Sequence, residues 1–492
     1  MTHRAKNSAT RPGSAVGILA TAGIASALTQ TMVAPLIPQL PEIFSTSAEN
    51  TAWIVTATLL AGAVAVPISG RLGDLFGKRR MILILALPLI LGGLVCAFAP
   101  NVAVMIIGRA LQGFGSGMIP LGIAMLRDLV PREQLSSAIA TVSATLGAGG
   151  AIGLPVSAAV IEFSNWRWLF IGGSVVTLIV ALLIWKFIPG LKASAAGQRF
   201  DWLGAFGLAT GILALMLAIS KGSSWGWASP LTLGLFGISV LALVFWGFWE
   251  LRTTDPLVDL RTAVIPRVLL TNIASIFVGF GMYVSMLLMP QILQLPASTG
   301  YGLGQSVLAA GLWVAPAGFM MLVLSPVGGK LSDRLGARFT LMLGIAILAA
   351  GYLVGLWGMG SAWGLLLTTT LVNSGVAFAY GAMPSLIMSS VPRSETAAAN
   401  GFNTLMRSLG TTGSAAVIGL VLAQMSTDFH GIMIPTELGF RTALLLGAGF
   451  SVAAMMIAAF IPKNSPHGEL EPVDDSLPVN AKQFPGQCRR HA

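Results

Sequence analysis

Charge is what this sequence has least of: only 9% of its 492 residues are Asp, Glu, Lys or Arg, while 55% are hydrophobic. A soluble fold needs about a quarter of its residues charged, so a water-surrounded globule is excluded. Histidine is scarce, and His3, His430, His467 and His491 all fall outside the long apolar runs. With no membrane-depth histidine, no paired carboxylates and no metal-ligand cluster, the sequence offers nothing with which to run hydrolysis or redox chemistry. No enzyme activity, metal or cofactor is expected. The two cysteines exclude a disulfide framework. Cys96 sits inside an apolar run and reads as packing, and Cys488 in the tail reads as a free thiol in a reducing compartment.

What is there is length in apolar runs. About 20 apolar residues span the ~30 Å hydrocarbon core as a helix. Fourteen such stretches are expected, at 15–37, 51–69, 81–99, 102–126, 136–160, 167–188, 202–220, 229–249, 267–290, 304–327, 339–358, 363–390, 398–425 and 440–461. The short alternating segments of a membrane barrel are absent. The first span is too long for a signal-peptide core and reads as retained. An even number of spans puts both termini on one side. The segments on that side hold 23 Lys and Arg, whereas the opposite loops hold three (Arg167, Lys221 and Arg441) and two lie within spans (Arg109 and Arg407). The positive-inside rule makes the rich side cytoplasmic. The net charge of +10 is therefore a topology signal, and nucleic-acid binding is not expected.

The charges that do occur are repeated. "GRLGDLFGKRR" at 70–80 reappears as "GGKLSDRLGAR" at 328–338, and "VPRE" at 130–133 as "VPRS" at 391–394. Gly149 falls on Gly410 and Gly153 on Ser414 in the same register. Two motifs in one order at nearly one offset, both on the cytoplasmic side, indicate two parallel homologous halves. The expected organisation is a cytoplasmic tail (1–14), a six-helix half (15–190), an inserted helix pair (200–250), a second six-helix half (266–462) and a disordered cytoplasmic tail (463–492). Trp225 and Trp227 read as interfacial anchors in the turn of the inserted pair.

With these residues quoted, the chain resembles the major facilitator superfamily, in its fourteen-helix drug:proton antiporter branch. "GRLGDLFGKRR" matches the family signature between helices two and three, and "GRALQGFGSG" (108–117) the helix-four signature. "NWRWLF" (165–170) and "FDWLGA" are typical of the branch. The resemblance implies an all-α polytopic fold of two six-helix halves plus two inserted helices. It also implies alternating-access export of hydrophobic or amphipathic compounds against protons as counter-ion, by a single chain in the inner (plasma) membrane. An uptake symporter or uniporter for an organic solute is the alternative.

Gly70, Asp74, Gly77 and Arg79, with their copies Gly329, Asp333, Gly336 and Arg338, read as a latch on the cytoplasmic side. The glycines permit a tight turn and close approach. Each aspartate can meet the positive start of a helix in the opposite half, helix thirteen for Asp74 and helix five for Asp333. Arg109 lies within helix four with Gln112 one turn on, and the resemblance makes Arg109 part of the coupling or substrate region. Arg407 lies within helix thirteen and either snorkels or lines the cavity.

The branch carries an acid in helix one where this chain has Thr29, and none of the 18 acids sits near the middle of a span. Glu162 and Asp128, at helix ends, are the remaining candidates for proton carrier. Helix five departs from the branch at "GLPVSAA", with Gly153 and Pro155 keeping a bend. Gln30, Trp53, Asn272, Tyr283, Trp313, Asn373, Tyr380 and Asn403 are candidates to line a largely apolar cavity. Such a lining suits an amphipathic cargo, and an anionic or neutral one is compatible with Arg109.

Overall fold

A computed structural model describes residues 12–429 and 432–463. His3, His430, His467, His491, Cys488 and nearly all of both expected tails lie outside the described residues. Fourteen helices in it are long and apolar enough to cross a membrane. In chain order they are α1 (Pro12–Thr31), α2 (Ala48–Phe76), α3 (Lys78–Ala97), α4 (Val102–Leu129, with a 3-10 turn at Phe114–Gly117), α5 (Arg132–Phe163), α6 (Arg167–Phe187), α7 (Trp202–Trp225) and α8 (Pro230–Glu250). Then follow α9 (Pro266–Gln294), α10 (Val307–Leu335), α11 (Ala337–Gly358), α12 (Ala362–Met388), α13 (Thr396–Gln424) and α14 (Glu437–Ala459), with a hairpin β1 (Ser426–Phe429) and β2 (Ile432–Pro435) before α14.

Local chemistry sets the ends. Ser47, Asn101, Asp201, Ser229, Ser306, Ser361 and Thr436 each accept an N–H of the following helix through their side chains. The signature at 70–80 was expected as an interhelical turn, but α2 runs through it to Phe76. The reversal occurs at Gly77, with φ +98°, and at its copy Gly336, with φ +88°, a region that suits glycine alone.

One buried apolar cluster gathers α9 to α14, with Val284, Leu348, Tyr352 and Phe440 fully buried in it. Two others fill the first six helices, around Leu85, Leu121 and Ile139 on the basic side and around Leu36, Ile54 and Phe170 on the other. The inserted pair makes its own cluster: Leu208, Ile212 and Trp246 pack with Ala63 of α2 and Leu405 of α13. The pair therefore lies across the line where the two six-helix groups meet. A second seam joins α5 to α10, where Cβ atoms at Gly147 and Gly318 would collide with Met321 and Ala151. Close helix approach through small residues is the membrane substitute for a hydrophobic driving force.

Candidate functional site

The repeated signature builds a closure on the basic side. A Cβ at Gly70 would lie 2.5 Å from the Ala397 carbonyl oxygen, and one at Gly329 would lie 2.3 Å from the Ser137 Cα. The two contacts are copies: α2 crosses the start of α13, and α10 crosses the start of α5. One turn beyond Gly70, the fully buried Asp74 carboxylate accepts the backbone N–H of Ala397 (3.0 Å) and Ala398 (2.9 Å) and the hydroxyl of Ser194 (3.2 Å). Lys78 joins it at 4.0 Å and donates to Asp128 Oδ2 at 2.7 Å. Asp128 thus serves as an ion-pair partner of the signature lysine.

Asp333 does not repeat this bond. It is exposed and takes no helix amide among the described residues. The reason is register. Residues 393–395 form a 3-10 turn and α13 starts at Thr396, which leaves the Ala397 and Ala398 amides free. In the copy, α5 already begins at Arg132, so the amides of Ser136 and Ser137 belong to the helix body. The carboxylate bond between the halves is single, and the glycine contact alone is double.

The arginines of the signature do repeat, at a different task. Arg79 donates to the Trp185 carbonyl at the end of α6, and Arg338 to the Ala459 carbonyl at the end of α14. Each binds the negative terminus of the last helix in its own half. They brace the halves internally and do not cross between them. A cation that does cross is Arg127, unremarked in the sequence, which donates to Thr396 Oγ1 (2.7 Å) and the Val391 carbonyl (3.3 Å). Its adjacency to Asp128 at a basic-side helix end was the available signal.

Within the membrane, Arg109 is buried and its Nη1 donates to the Thr29 carbonyl (2.8 Å) and to Gln112 Oε1 (2.7 Å). The position where the branch has its acid thus meets the arginine through backbone. Arg407 is buried too, with its guanidinium 4.5 Å from the Tyr380 ring centre and Nη2 on Thr404. Asn403 donates to Asn272 (3.0 Å) and Ser275 (2.7 Å), tying α13 to α9.

The other candidates scatter. Gln30 and Asn373 bond carbonyls of their own helices. Trp53 faces the inserted pair, 6.2 Å from Trp225 and under Lys221 at 4.5 Å. Lys221, counted from sequence as a loop charge, is buried there. Trp313 packs edge-on to Trp363, itself 72% exposed. Tyr283 is half-buried. Glu162 is exposed at the far end of α5, and Arg167 stacks on Trp166 without pairing with it. A Cβ at Gly153 would strike Thr31, and α5 continues through Pro155, against which Gly311 packs.

Sequence reading also missed a carboxylate clasp at the basic end of the inserted pair. Asp201 accepts from Trp249 Nε1 (3.0 Å), and Glu250 accepts from Trp246 Nε1 (2.7 Å) and the Leu257 amide (3.0 Å).

The steric demand at the seam is directly testable. Gly329→Val should keep the protein folded yet hold the α5–α10 seam open at its basic end, lowering transport at least fivefold. Gly336→Ala, in open space, should report only the strain of its φ. Initial transport rates of the two variants, at matched expression, check this.

Two seams, a signature aspartate on an opposing helix start and fourteen spans define a class of membrane protein, and comparison with known proteins agrees. The family model of the Major Facilitator Superfamily matches residues 19–415 and 271–484, and the chain belongs to that family. It is 30% identical over 346 residues to a multidrug resistance protein B homolog of Mycobacterium tuberculosis (strain H37Rv), covering 68% of this chain but only 63% of that one. It is 28% identical over 414 residues to the tetracenomycin C resistance and export protein of Streptomyces glaucescens, covering 82% and 74%. The crystal structure of the human organic anion transporter MFSD10 has the same fold, at TM-score 0.66 and 14% identity over 91% of this chain and 99% of that one.

Proposed function

We propose that the protein exports hydrophobic or amphipathic compounds by alternating access, powered by the proton-motive force, as a single chain in the inner (plasma) membrane. The observation that carries this reading is the Asp74 carboxylate on the Ala397 and Ala398 amides, a bond between halves that must break for the basic side to open. The two halves, residues 15–190 and 266–462, are then the rocking bodies, with 200–250 as a pair bridging them. Export rather than uptake follows the multidrug resistance and export proteins among the relatives.

Everted membrane vesicles test it. On energisation, fluorescent lipophilic cations, neutral dyes and aryl sulfonates are offered one at a time, and accumulation in the lumen is followed. Energy-dependent accumulation of any one, cut tenfold or more in Asp74→Ala, supports export. Equilibration without energy input would replace export by the uniporter. Glu162→Gln should leave the accumulation rate within twofold of wild type, because its carboxylate is exposed and unpaired among the described residues. A tenfold fall would make Glu162 the proton carrier.

A further inference from the structure

Arg407 lies eleven residues into α13, about 16 Å from its basic end at 1.5 Å per residue. That is near the middle of a ~30 Å hydrocarbon core. Its side chain is 5% exposed. Nη2 is held by Thr404 at 2.9 Å, while Nη1 is buried without a hydrogen-bond partner. The ring beneath the guanidinium belongs to Tyr380, whose hydroxyl is turned to Met282 Sδ at 3.3 Å. The neighbouring Asn403 is already committed to Asn272 and Ser275.

Arg109 repeats the situation on α4, with Nε buried and unpartnered. The ion pairs among the described residues join Lys78 to Asp74 and Asp128, and Arg441 to Glu437, and none involves either buried arginine. Two cations thus stand at membrane depth without an acid to balance them. A guanidinium in such a place is costly, and its unused N–H groups are matched by a carboxylate or sulfonate in bidentate or single contact. Tyr380 supports the flat face of the fork, and Nη1 on its edge has no hydrogen-bond partner.

We propose that Arg407, stacked on Tyr380, is the headgroup site for a monovalent organic anion, a carboxylate or sulfonate on a hydrophobic body. The charge of that cargo, and not a proton on a protein side chain, couples export to the membrane potential. This rests on the exporter reading above and names its substrate class. It also accounts for Thr29 and for the lack of any acid near the middle of a span. An anion leaving a negative interior is driven outward by the potential itself, roughly 50-fold in concentration per 100 mV. No titrating group is then required.

The test uses the full chain in proteoliposomes loaded with the aryl sulfonate 8-anilinonaphthalene-1-sulfonate or, separately, with the cation ethidium. A potassium diffusion potential, negative inside at equal pH, should speed sulfonate exit at least fivefold over protein-free vesicles. A pH gradient with the potential clamped at zero should not. Arg407→Gln should remove at least nine-tenths of the potential-driven rate. Tyr380→Phe should keep it within twofold, and Tyr380→Ala should lose it. Sulfonate exit unaltered by Arg407→Gln, or ethidium moved by the pH gradient while the sulfonate is not, overturns the anion site and leaves the exporter standing. No movement of either probe by monodisperse, cooperatively melting protein overturns both. Should Arg407→Gln fail to fold, the contrast between potential and pH gradient in the wild-type protein still decides.

Discussion

Asp74→Ala should cut transport tenfold or more while the protein still reaches the membrane folded. The carboxylate makes its bonds to Ala397 and Ala398 across the seam, so they exist only while the basic side is closed. Hydrogen bonds to a charged group contribute about 1.5–3 kcal/mol each, and a buried amide left unmatched adds to the loss. A net penalty of about 3 kcal/mol on the closed state alone would shift the gate equilibrium by over a hundredfold. Arg127 on Thr396 and the two glycine contacts remain and return part of it. Asp74→Asn keeps an acceptor oxygen for the helix start but not the charge, and should fall between, at three- to fivefold.

A second readout separates a loosened gate from a damaged fold. Ala140 is 1% exposed on α5, and a Cβ on Gly381 of α12 would come within 2.8 Å of its methyl. In a cysteine-free background, Ala140→Cys should resist an impermeant maleimide from the cytoplasmic side and react at least tenfold faster once Asp74 is Ala. Equal labelling in both backgrounds, with transport intact, would mean that the bond is not the latch.

The positions that mattered in the fold were legible because hydropathy and charge are counted over many residues. Fourteen spans and their orientation needed only the apolar runs and the asymmetry of Lys and Arg, which no single packing detail can overturn. The repeat also exposed the glycine contacts, since the need for a missing Cβ survives in both copies. What the repeat could not say is that Asp74 and Asp333 differ. Their sequences are alike, and the difference lies in whether one turn ahead of α13 or α5 is 3-10 or α-helical. That choice depends on tertiary support, with Arg127 holding Val391 and Thr396 on one side only.

Single polar residues inside spans were less legible still. Periodicity puts Trp53 and Asn403 on similar footing, yet one meets the inserted pair and the other ties α13 to α9. The helix pair that covers Trp53 has no copy in either half, so no symmetry argument could have placed it. The two arginines stood out in the sequence because charge at depth is costly wherever it points, and both are buried.

Arg109→Ala should be the most damaging change in the first half, lowering transport about a hundredfold and thermal stability by several degrees. Its Nη1 binds the Thr29 carbonyl in the last turn of α1, where helix carbonyls lack partners of their own, and Gln112 Oε1 on α4. Removal leaves both acceptors buried and unmatched, at about 1–3 kcal/mol each, besides the space of the lost side chain. Arg109→Lys keeps a charge but places one compact ammonium where a planar fork reaches two oxygens, and should retain less than a tenth of the rate. Melting the purified variants in detergent beside their transport rates separates the roles. A large fall in both means that Arg109 acts by fixing α1 against α4. Transport lost with the melting temperature unchanged would mean that it meets the cargo, as proposed for Arg407. Near-normal transport in Arg109→Ala would deny it either part, because the α1–α4 bridge would then carry no weight in the working cycle.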